Sequence, residues 1–119
     1  MQYGVRAYSK VNATAQVAPR ELEATLLIKG AAKLEGVKRD WERKEGLPEA
    51  LAYNRKLWTI LASSATAAEN PLPVQVKNDF GNLAVFVLRS LIQLAAEPRL
   101  DQMNRLIEIN ATVAAGLRN

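Results

Sequence analysis

The prolines constrain this chain more than any other feature. Pro19, Gly46-Leu47-Pro48, Asn70-Pro71-Leu72-Pro73 and Glu97-Pro98 cut it into stretches too long and too rich in helix formers to be strands. Four main helices are expected, over Pro19–Lys44, Pro48–Ala67, Pro73–Ala96 and Leu100–Leu117. A proline stands at or near the start of the first three, where its missing N–H costs nothing and its fixed φ suits a helix. The connections are short, so neighbouring helices should pack antiparallel. The expectation is an all-α, single-domain bundle over residues 1–119. Residues 1–17 carry only a weak stripe (Tyr3, Ala7, Tyr8, Val11) broken by Gly4, and fit a short helix or a flexible arm equally.

Helical spacing assigns faces. In the first helix Leu22, Leu26, Gly30, Leu34, Val37 and Trp41 make one apolar stripe, with Ile28 nearly opposite. The second places Leu47, Leu51, Leu57, Trp58, Leu61 and Ala65 on a broad face and turns Lys56, Thr59 and Ser63 away. Asn54 falls inside that apolar face. The last helix aligns Leu100, Met103, Leu106, Ile107, Val113, Ala114 and Leu117, and Asn110 again falls among them. An amide buried without partners would cost about 1–3 kcal/mol, so Asn54 and Asn110 should bond each other or nearby backbone and fix how the helices register.

The third helix is apolar around most of its circumference and reads as the centre of the bundle. Its narrow polar strip is Gln75, Asp79, Asn82, Arg89, Ser90 and Gln93, and Phe86 lies in the middle of that strip. A misplaced aromatic is the strongest interface signal in the chain. Phe86, Arg89 and Gln93 therefore form one candidate partner-binding patch, with Tyr53 and Ile60, at the margin of the second helix's apolar arc, as further candidates.

Chemistry is constrained by omission. The chain has no cysteine and no histidine, which removes the thiol nucleophile, the thiolate metal site and the commonest acid/base group. No glycine pattern matches a phosphate loop or dinucleotide fingerprint. Glu42 and Glu45 sit among Arg43 and Lys44 and read as a solvated face, not an acid/base pair. No enzyme activity, cofactor or metal is expected. A net charge of +4 permits an acidic partner, and the run Lys38–Lys44 mixes base with Trp41 in a way that would suit RNA. The acids within the run weaken that reading, and Trp41 belongs to the core stripe. The N-terminus has no apolar stretch resembling a signal-peptide core, and no later segment reads as a membrane span, so a cytoplasmic location without membrane insertion is expected.

Several ordered segments, "APRELEATLLIKGAAKL", "RKLWTIL", "ENPLP", "LAVFVLRS", "LIEIN" and "AAGLRN", together resemble the FlaF family of flagellar biosynthesis regulators. The resemblance covers most of the chain. It implies a cytoplasmic helical protein needed for flagellin production and export, acting with the companion regulator FlbT and binding flagellin as a secretion chaperone. The alternatives are a post-transcriptional regulator that contacts flagellin messenger RNA, or an adaptor that recruits FlbT. Two positions depart from the family pattern. Ala18 stands where such sequences often place Ser, removing the side-chain half of a capping box with Glu21 at a cost of about 1 kcal/mol. Phe86 stands where Trp commonly precedes Val-Leu-Arg.

Overall fold

A computed structural model describes residues 19–119. Within them the chain forms four helices and no strand: α1 (Pro19–Lys38), α2 (Leu47–Thr66), α3 (Val74–Ala96) and α4 (Leu100–Arg118). The reading of residues 1–17 as a short helix or arm lies outside the described residues.

The first helix ends at Lys38, short of the expected Lys44. Beyond it Lys44 takes φ 51° and Gly46 φ 83°, left-handed conformations that reverse the chain into α2. The Lys44 N–H still donates to the Asp40 carbonyl at 3.0 Å, as it would in a helix. A single α-type turn therefore carries Trp41 half-buried onto the core, and the side-chain spacing looks helical although the helix has stopped. The stripe on α1 is also rotated. Its buried residues are Ala24, Leu27, Gly30, Ala31, Leu34 and Val37, while Leu22 and Leu26 are only half-buried and Ile28 is exposed.

α1 packs along α4 and against α2, and α2 lies between α1 and α3. α3 is not the central helix that its composition suggested. It buries Ala84, Val87, Ser90, Leu91 and Leu94, mostly against α2, and touches α4 lightly. The bulk at the centre comes from elsewhere: Trp58 of α2 is fully buried and stacks on Phe80, with ring centroids 5.6 Å apart. Ser90, expected in the solvent strip, is buried and donates its hydroxyl to the Phe86 carbonyl at 2.9 Å. That bond satisfies a small polar group without an external partner, so Ser90 can face inward.

α3 also corrects the expectation that no segment approaches a membrane span. Its 23 residues, with Arg89 the only charge after Asp79, are long and apolar enough by length and composition to cross one. The same composition serves a helix that packs one side on a neighbour, as α3 does on α2. Residues Ala67–Pro73 shape that α2–α3 turn: Asn70 Nδ2 donates to the Ser64 carbonyl at 3.0 Å, while its Oδ1 accepts from the Leu72 N–H at 3.0 Å. One side chain thus satisfies a helix-end acceptor and a turn donor.

Three helices meet at the paired amides. Asn110 Nδ2 donates to Asn54 Oδ1 at 2.8 Å and to the Leu27 carbonyl at 3.1 Å. Asn54 Nδ2 donates to the carbonyls of Gly30 at 3.2 Å and Ala50 at 2.9 Å. Trp58 Nε1 donates to Asn110 Oδ1 at 3.0 Å. Every amide hydrogen has an acceptor and each amide oxygen a donor, so the burial of both side chains carries no orphan penalty. Gly30 makes the arrangement possible. A Cβ there would clash with Asn54 Oδ1 and stand 2.8 Å from Asn110 Nδ2.

Candidate functional site

The surface that remains for function is the side of α3 turned away from the core. Val74 is 72%, Ile92 64% and Val85 51% exposed, and Phe86 is 41% exposed. Helical geometry explains why so many apolar side chains are left out. α3 is apolar around most of its girth, but a single helix flanked mainly by one neighbour can bury only one side. Large apolar groups gathered on one exposed face are unusual in a way that a lone exposed valine is not.

Among the expected partner-binding residues, the structure places Phe86, Arg89 and Gln93 together on this helix, all exposed. Gln93 is not wholly available, because its Oε1 accepts from Gln102 Nε2 of α4 at 2.7 Å. Phe86 and Gln93 thus border the α4 side of the face. Tyr53 and Ile60 do not join them. The Tyr53 hydroxyl donates to the Leu26 carbonyl of α1 at 3.0 Å, and Lys33 Nζ lies 5.2 Å from its ring centroid, so Tyr53 braces α1 against α2. Burial raises its phenol above the usual range. Ile60, 42% exposed and two turns further along α2, belongs to that same flank.

Val74, Val85 and Ile92 belong to the apolar circumference for which the third helix was expected at the centre of the bundle. Nothing in their residue type separates them from the buried Val87 and Leu94. Their position does, since the core centres on Val87 and Leu94 and these three lie on the opposite half of the helix.

Two other regions are occupied locally. In the Lys38–Lys44 run, Lys44 Nζ donates to the Trp41 carbonyl at 2.8 Å and lies 4.5 Å over the Trp41 ring, Arg43 pairs with Asp40 and Lys38 with Glu35. At the α3–α4 corner a crevice is lined by Gln93, Glu97, Arg99, Asp101, Gln102 and Arg105. There the hydrogen bond from Arg99 holds the Asp101 carboxyl below its usual range, so the two exposed charges answer each other.

Fold and surface together define a small all-α protein that keeps an apolar helix face open. The family model for flagellar protein FlaF matches residues 5–117, nearly the whole chain, and the protein belongs to the FlaF family of flagellar proteins. No curated protein and no solved structure matches it.

Proposed function

We propose that this protein binds flagellin in the cytoplasm and keeps it soluble until export. Membership of a flagellar family supports the setting, and the open face of α3 is the observation that carries the reading. A filament subunit waiting for export must have its self-associating apolar helices covered, and helix-on-groove recognition is the direct way to cover them. Each exposed apolar side chain on α3 contributes up to about 1.5–3 kcal/mol when a partner removes it from water, which suits a reversible complex. No step of such binding requires catalysis.

Native mass spectrometry of the purified protein mixed separately with flagellin, with FlbT and with flagellin messenger RNA tests this. A complex with flagellin that persists in high salt is expected, because apolar burial is not screened. A complex only with messenger RNA that dissolves steeply with added salt would replace it with a post-transcriptional role. A complex only with FlbT would make the protein an adaptor.

A further inference from the structure

Exposed and half-buried residues of α3 include one continuous line. Val74, Asn78, Gly81, Val85, Leu88, Ile92 and Ala95 follow one another at alternating four- and three-residue steps along nearly the whole 23-residue helix. That is the heptad spacing by which one helix seats its side chains between those of another. Leu88 and Gly81 are half-buried, and the others are exposed. Near its C-terminal end the seam opens into a groove between α2 and α3, lined by Leu51, Ala52, Arg55, Leu91, Ile92 and Ala95.

The charges beside the seam have one sign. Arg55 stands on the α2 rim of the groove and Arg89 beside Leu88 on the outer rim, and among the described residues neither forms an ion pair. The only acid of α3, Asp79, lies off the seam and accepts from Gln75 Nε2 at 2.9 Å. A second copy of the chain would bring two more arginines and no flanking acid to the same interface. Residues 1–18 are no better matched, since they contain Arg6 and Lys10 and no Asp or Glu. We infer that the seam receives one amphipathic helix of a partner protein, whose apolar heptad residues are flanked by carboxylates that meet Arg55 and Arg89. The inference deepens the flagellin reading and rests on it for the partner's identity. The chemistry of the recognised helix comes from the seam.

Two titrations test it, each read by isothermal calorimetry on the full chain. In the first, flagellin is titrated with the wild type, Ile92→Asp, Val85→Asp, the double reversal Arg55→Glu/Arg89→Glu, and, as a control on the exposed side of α4, Asn104→Asp. Each seam aspartate and the double reversal should weaken binding roughly tenfold or more, with Asn104→Asp near wild type. Ile92 and Val85 are both largely solvated, so circular dichroism should find at least one of the two variants folded. In the second, two designed peptides of about three heptads share an apolar stripe and differ in flanking Glu or Lys. The Glu peptide should bind the wild type roughly tenfold more tightly, and the double reversal should invert the preference.

Flagellin binding that survives both seam aspartates would overturn the seam and leave the flagellin reading standing. Failure of flagellin to bind, with the Glu preference intact, would remove the flagellin reading and support the seam. Equal binding of the two peptides, or none, would overturn the inference. So would a dimer dissolved by Ile92→Asp, which identifies a second copy as the occupant, or hydrogen-exchange protection of residues 1–18 lost in Ile92→Asp, which identifies the chain's own N-terminal segment.

Discussion

Replacing a helical glycine with alanine ordinarily stabilises, and at Gly30 it should do the reverse. The intrinsic gain is at most about 1 kcal/mol. Against it, the new methyl would overlap Asn54 Oδ1 and stand 2.8 Å from Asn110 Nδ2. Neither amide can swing aside freely, because Asn54 is also held to Ala50 and Asn110 to Leu27 and Trp58. Overpacking costs about 1–3 kcal/mol. Displacing even one amide leaves a buried donor or acceptor unpaired for about 1–3 kcal/mol more. The net expectation for Gly30→Ala is a loss of about 3 kcal/mol, or a melting temperature about 10–15 °C lower. Gly36, on the same helix with nothing within 4 Å of an added Cβ, supplies the control. Gly36→Ala should be neutral or stabilising by up to about 1 kcal/mol. The assay is thermal and urea unfolding of both variants followed by far-ultraviolet circular dichroism. A double-mutant cycle with Asn54→Ala should return a coupling of about 1 kcal/mol or more, since that change removes the oxygen the methyl strikes. If Gly30→Ala and Gly36→Ala shift stability alike, the claim that close approach at Gly30 holds the amides fails.

Trp58→Phe keeps a ring against Phe80 but orphans Asn110 Oδ1 and leaves a small void, so urea unfolding should show a loss of about 2–4 kcal/mol. A loss no greater than a few tenths would mean the indole N–H bond contributes nothing. Glu23 has its carboxyl raised above 4.5 by burial, with Arg20 pulling it back in part. A raised acid favours the folded state fully below the unfolded value and loses that contribution as pH rises through the folded one. Glu23→Gln should therefore gain on the wild type between pH 4 and pH 7, measured as the difference in urea midpoints. A constant difference across that window would contradict the assignment.

The four main helices and the inward placement of two amides that need partners are legible in the linear chain. Prolines act through local backbone geometry, and a polar residue at a core spacing must find a partner wherever the fold is closed. Asn54 and Asn110 were expected to bond each other or nearby backbone, and they do both. Three-helix convergence around Gly30 was less visible, because periodicity marks a glycine on a stripe without saying which side chain comes against it. The end of α1 at Lys38 was hidden for a related reason: the turn after it keeps an i to i−4 bond and so preserves the spacing through Trp41.

The candidate surface depended more heavily on the fold. Phe86 stood out because it interrupts a polar strip, and it is exposed. Val85 and Ile92 did not stand out, being apolar residues on a helix that is apolar nearly all round, and Tyr53 turned out to be tied to α1. Local sequence, through proline positions and helical periodicity, determined that the described residues would form four helices with two amides to reconcile. Only tertiary packing decided that α2 would sit between α1 and α3, leaving α3 flanked mainly by one neighbour among the described helices. The physical reason is that periodicity reports how much apolar surface a helix carries, whereas which part meets water depends on where the other helices lie.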